Sequence, residues 1–84
     1  MKNKVLIKLI IPSLMSEYEI FIPVNERISK IKDLLIKSLV DLSDNQLDLT
    51  KKYNLIDPDT GIIYENNLIV RDTNIKNSKK LILF

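Results

Sequence analysis

The side chains able to do chemistry here are acids, amines and hydroxyls. Among 84 residues there is no histidine and no cysteine. That removes the commonest general base and metal ligand, thiolate zinc and iron–sulfur sites, cysteine nucleophiles and disulfides. The serines and threonines have no imidazole to activate them. Asp57-x-Asp59-x-Gly61 carries the opening spacing of a calcium loop. Such a loop needs a third oxygen ligand where Gly61 stands and a glutamate where Leu68 stands. The segment reads instead as a turn, in which Pro58 presets φ, the aspartates bond nearby amides and the one glycine takes positive φ. Glu17 and Glu19 leave one strand face as a carboxylate pair would, and their expected partners are Lys4 or Lys8 across a hairpin. No catalytic, cofactor-binding or metal-binding residue is predicted. The expectation is a non-enzyme that works by contact.

Thirteen basic and eleven acidic residues leave a net charge of +2. The lysines are scattered, with pairs at Lys51-Lys52 and Lys79-Lys80, and none of the aromatics sits within a basic cluster. A nucleic-acid surface concentrates charge on one face and adds stacking rings. Nucleic acid is therefore not the expected partner. A regulatory nucleic-acid binder stays as an alternative resting on those lysines.

The elements that position these groups follow from periodicity. Val5, Ile7, Leu9 and Ile11 alternate as in a strand, Pro12 to Ser16 turn the chain, and Tyr18, Ile20, Ile22 and Val24 resume the alternation. This predicts an antiparallel hairpin. Ile28, Ile31, Leu35, Leu39 and Leu42, with Leu34 alongside, keep one helical face. Asn25 is the expected N-cap, Glu26 suits the positive end of the helix, and Ser43-Asp44-Asn45 ends it. Leu47 and Leu49 fit a short strand or a turn. Tyr53 to Ile56 and Ile62 to Tyr64 read as strands about the Asp57–Gly61 turn, and Lys79 to Phe84 as the last strand. With 45% hydrophobic and 29% charged residues, residues 1–84 are expected to form a single globular domain. The amino-terminal run from Met1-Lys2-Asn3-Lys4 to Met15 is interrupted by Lys8 and Pro12. It is also short of the roughly 20 residues that span a bilayer, so it reads as a strand of a cytoplasmic protein without membrane insertion.

The order predicts an α+β chain of the β-grasp type: a mixed four- to five-stranded sheet packed on one main helix, with the first and last strands parallel at its centre. If Val5, Ile7, Leu9 and Ile11 face the helix, alternation sends Leu6 and Ile10 to the other side. The same rule sends Phe21, Ile82 and Phe84 there. Leu6, Ile10, Phe21, Ile82 and Phe84 are thus expected to form one contiguous outer patch, the candidate protein-interaction site. Burying about 300 Å² of it contributes on the order of 7 kcal/mol before association costs. A peptide-strand-binding adaptor is a further alternative, with the second strand or the one near Tyr53–Ile56 as the exposed sheet edge.

The hairpin Val5–Val24 and the helix from Asn25 resemble ubiquitin-like proteins. The carboxy-terminal third, Tyr53-Asn54-Leu55-Ile56-Asp57 through Leu68, Ile75, Asn77 and Leu81-Ile82-Leu83, is similar to the small YukD/EsaB ubiquitin-like proteins of Gram-positive type VII secretion systems. The likeness lies in an apolar β-pair, a polar turn, a buried leucine, an Ile-x-Asn-Ser corner and a final apolar strand. It implies the ubiquitin superfamily β-grasp fold and an accessory or regulatory component whose partner is another part of a secretion machine, or a second copy, met through the outer sheet face. It carries over no catalytic or ligand residues. Ubiquitin-type modifiers present a Gly-Gly carboxylate on a flexible tail. The sequence closes on Leu81-Ile82-Leu83-Phe84, without those glycines, so the expectation is a module that is not conjugated.

Overall fold

Residues 3–84 are described by a computed structural model. Met1 and Lys2, at the start of the run weighed above against a bilayer span, lie outside the described residues. The β-branched run Lys4–Ile11 forms β1, and Ser16–Pro23 forms β2. Pro12 has no amide to give a ladder, so the chain leaves β1 through a short 3₁₀ turn, Pro12–Leu14. Met15, at φ 50°, reverses it into β2. The strands pair antiparallel, with Leu6 opposite Phe21 and Lys8 opposite Glu19.

The helix α1 spans Ile28–Leu42. Its cap differs from expectation. Arg27 holds the N-cap position with no side-chain bond, while Asn25 Oδ1 accepts from Arg71 Nη1 at 3.0 Å. No acidic residue stands in the first turn, so Glu26 falls outside it. The orphan amides are satisfied from a distant loop: Ile28 N–H donates to the Leu68 carbonyl at 2.8 Å and Ser29 N–H to that of Asn66 at 3.1 Å. Tertiary carbonyls have replaced a local cap. At the other end Asn45 N–H reaches the Val40 carbonyl at 2.9 Å and Asp44 N–H that of Asp41 at 3.4 Å. Asp44 and Asn45 both take positive φ, 54° and 62°, in a Schellman-type ending. Ser43-Asp44-Asn45 ends the helix where the sequence placed its end.

Beyond the helix, strand is scarce. β3 is Leu55–Ile56 and β4 is Lys79–Leu83. The strand expected at Ile62–Tyr64 is reduced to one bridge, Ile56 to Ile63. Two backbone bonds hold it there: Asp57 N–H to the Ile62 carbonyl and Tyr64 N–H to that of Leu55, each at 2.9 Å. Gly61 has φ 73° and open space around it, so backbone conformation rather than crowding favours glycine at this point.

The sheet order is β2-β1-β4-β3, with β1 and β4 parallel at the centre. This mixed four-stranded sheet on one helix is the β-grasp arrangement. Its core joins Ile7, Leu9, Ile11 and Ile22 to Ile28, Ile31, Leu35 and Leu39 of α1, with Leu55, Leu81 and Leu83 from the later strands. Leu42 stands 55% exposed, so the apolar face of the helix stops a turn earlier than its sequence spacing implies. Leu68, expected to be buried, is exposed, and its contribution to the helix is its carbonyl. No described helix is long and apolar enough to cross a membrane.

Candidate protein-interaction face

Strand alternation places Leu6, Lys8 and Ile10 of β1 on the side away from α1. Glu17, Glu19 and Phe21 of β2 share that side, as do Lys80 and Ile82 of β4. Phe84 follows β4 in the same alternation, and its amide and carbonyl exchange two 3.0 Å bonds with Asn54. Phe21 and Phe84 are about half exposed, at 51% and 55%, while Leu6, Ile10 and Ile82 are half-buried.

The register divides these residues into two groups. Leu6 pairs with Phe21, whereas Ile10 pairs with Ile82. Between the pairs runs a charged row: Lys8 opposite Glu19 on one side and Lys80 on the other. Leu6 and Ile10 are four residues apart, about 13 Å along the strand. The single contiguous patch expected from sequence is therefore interrupted, because alternation assigns a side chain to a face and says nothing of its row.

The second group is larger than the sequence suggested. Ile82 pairs with Ile10 on one side and with Ile56 on the other, and Ile56 is bridged to Ile63. Ile10, Ile82, Ile56 and Ile63 thus form a line across the sheet, perpendicular to the strands, with Phe84 beside it. Ile56 and Ile63 were missed because β3 is too short to show a period. Lys51 places its ammonium over the Phe84 ring at 4.4 Å and the Tyr53 ring at 5.3 Å from the centroids, so a basic residue borders the line.

Carboxylate and amine chemistry gathers elsewhere. Asp57 is 2% exposed and its carboxylate is held from three directions. Lys79 Nζ donates to Oδ1 at 2.9 Å, Asn74 Nδ2 to Oδ2 at 2.8 Å, and the Asp59 amide to Oδ1 at 2.9 Å. Lys79 also reaches Asp59 at 2.8 Å, and the Tyr64 hydroxyl donates to Asn74. Lys79, then Asn74, hold the Asp57 carboxyl well below the usual carboxylate range. The hydrogen bonds to Asp59 and Asp57 hold Lys79 above the usual lysine range. Burial first, and the charge of Asp57 second, push Tyr64 up to about 12. In the turn whose spacing suggested calcium, the two carboxylates grip an ammonium. Among the described residues the ion pairs are those of Lys79, and Glu17 and Glu19 do not form the expected pairs with Lys4 or Lys8.

No protein-family model matches the chain, and no curated protein matches it significantly. Solved structures do. A chain of the MycP5-free ESX-5 inner membrane complex aligns with a TM-score of 0.79 at 16% identity, over 98% of this chain and 21% of that one. This chain thus spans about a fifth of that longer protein. The EccD5 ubiquitin-like domain from Mycobacterium xenopi aligns at 0.78 and 17% identity, covering 98% of this chain and 93% of that one. The ubiquitin-like domain of the Mycobacterium tuberculosis type VII secretion system protein EccD1 gives 0.75 and 10% identity, covering 95% and 96%. At such identities the likeness speaks for the path of the backbone: the chain has the ubiquitin-like β-grasp fold.

Proposed function

We propose that this chain is a ubiquitin-like protein-binding module that works without catalysis, through the sheet face that α1 leaves uncovered, as an accessory part of a type VII secretion machine. The observation that carries the binding role is the line Ile10–Ile82–Ile56–Ile63 with Phe84 beside it. Apolar side chains clustered in the open in this way are characteristic of an interface, whereas scattered ones need no explanation. The secretion setting is supported by the resemblance of the carboxy-terminal third and by the backbone likeness to EccD ubiquitin-like domains. The absence of histidine and cysteine supports contact rather than chemistry as its mode of action.

The test is capture of secretion-machine components by wild type and by Ile82→Glu. Ile82 occupies the centre of the line, and its side chain points away from the core. A carboxylate there is expected to leave the circular dichroism unchanged and to weaken capture at least tenfold. Phe21→Glu, in the separate Leu6–Phe21 group, is expected to have a smaller effect. Full capture by Ile82→Glu would sink the reading. Loss of self-association in that variant, with no other partner found, would reassign the face to a second copy of the chain.

A further inference from the structure

The sheet has two outer strands, and they are not equivalent. β3 is two residues long and already receives the segment around Ile63 on its far side. β2 runs for eight residues, and among the described residues its far side meets no strand. Backbone parity shows which groups are unpaired. Val24 N–H donates to the Asn3 carbonyl, so in steps of two Ile22, Ile20 and Tyr18 turn their amides and carbonyls toward β1. Leu6 confirms the phase, because its amide and carbonyl bond Asn77 Oδ1 and Ser78 N–H on the β4 side. The amides and carbonyls of Glu17, Glu19 and Phe21 therefore point outward. Pro23 closes the window at one end, since it has no amide to offer, and the Arg71 amide occupies the Val24 carbonyl beyond it.

A bare edge of this kind is a template for another strand, and charged side chains along it decide which strands are admitted. Glu17 and Glu19 are both exposed on the outer face of the window. A second copy in the centred antiparallel register sets Glu19 directly against Glu19, an unfavourable like-charge pair. On the helix side the window offers Tyr18 and Ile20, both half-buried hydrophobics at the margin of the core. A strand laid there would cover them with its alternate side chains.

We propose that the Glu17–Phe21 edge of β2 accepts an extended segment of a partner protein, antiparallel, with basic side chains facing Glu19 and Glu17 and apolar ones at the intervening positions. Main-chain bonds supply the attachment and the two carboxylates supply the selection. The site lies along the strand edge and borders the isoleucine line where Glu17 stands opposite Ile10, and the outward amides of β2 tell the two apart.

Capped seven-residue peptides alternating lysine and valine, or glutamate and valine, test the idea by amide NMR and hydrogen exchange at low salt. The lysine peptide is expected to shift and protect the amides of Glu17, Glu19 and Phe21, and to bind about tenfold more tightly than the glutamate peptide, with the difference shrinking as salt rises. Glu17→Lys/Glu19→Lys, both at exposed positions, is expected to reverse the preference. N-methylation of alternate amides on the pairing edge of the peptide is expected to abolish binding, which a purely ionic contact would not do. Shifts that map to Ile56 and Ile82 instead, indifference to N-methylation, no binding by the lysine peptide, or a wild-type chain that pairs with itself through β2 would each overturn the proposal.

Discussion

The two halves of the molecule share one core, but their backbone paths are ordered by different physics. From Lys4 to Leu42 the chain is a hairpin and a helix, and its cohesion is apolar burial: Ile7, Leu9, Ile11, Ile22, Ile28, Ile31, Leu35 and Leu39 are all within 1% of complete burial. From Asp44 to Ser78 there is little regular structure: Leu47, Tyr53, Leu55, Tyr64, Val70 and Ile75 anchor the segment in the same core, and specific polar bonds between residues distant in sequence fix the path between those anchors. Asp57 meets Lys79 and Asn74, Asn77 caps the Leu6 amide, and the Asn66 and Leu68 carbonyls cap the helix. Periodic apolar spacing makes a half that is robust to detail. Point-to-point bonding makes a half in which one lost partner leaves another stranded.

The largest effect that can break this comparison is in the first half. Leu35 lies at the centre of the helix–sheet contact, 1% exposed. Leu35→Ala is expected to cost about 3 kcal/mol in urea unfolding and to lower the stability of the whole chain. A loss below about 1 kcal/mol would show that burial is not what holds this half.

The polar half has a different signature, a dependence on pH. Asp57 titrates below its unfolded value, so its contribution is complete above about pH 4, the unfolded carboxylate range, and fades as pH falls from there. Lys79 titrates above its unfolded value, and its contribution is complete below about pH 10 and fades as pH rises. Asp57→Asn is expected to be less stable than wild type at pH 7, with the gap narrowing progressively as pH falls below about 4. Tyr64, pushed up to about 12 in the native chain, is expected to ionise at lower pH in that variant, since the Asp57 charge that opposes ionisation is gone while burial and the Lys79 charge, which favours ionisation, remain. Hydrogen exchange sharpens the point. At pH 3 the amides of residues 57–64 are expected to open well before those of β1 and α1. Simultaneous opening would mean that the two halves are one cooperative unit.

The same division explains what could be read from the sequence. Ile28, Ile31, Leu35 and Leu39 announce a helix because the 3.6-residue period survives tertiary packing, and β1 and β2 announce themselves by alternation. The outer face was legible in its membership, Leu6, Ile10, Phe21, Ile82 and Phe84, because alternation is a local property. Its division by Lys8, Glu19 and Lys80 was not, because register between β1 and β4 is set by partners more than 70 residues apart, as with Leu9 and Leu81. Asn25 misled for the same reason. It is a good local cap, but the Asn66 and Leu68 carbonyls reach the helix amides first. Asp57 read correctly as a turn residue, while Lys79, twenty-two positions on, gave no local sign that it would supply the counter-charge.

The smallest predicted effect tests the seam between the halves. Asp44 is the C′ residue of α1 and holds φ 54° to let Asn45 N–H reach Val40. A side chain in that conformation is strained, less for aspartate than for most residues. It also places a negative charge at the negative end of the helix. Asp44→Gly relieves both and gives back part of the gain as unfolded-chain entropy, for a net stabilisation of about 0.5 kcal/mol. Asp44→Asn removes the charge and keeps a side chain tolerant of positive φ, so it separates the two contributions. If Asn recovers all of the glycine effect, electrostatics set the cost at this seam. If it recovers none, backbone strain does, and the turn that leads into the polar half is held against its conformational preference by the helix it ends.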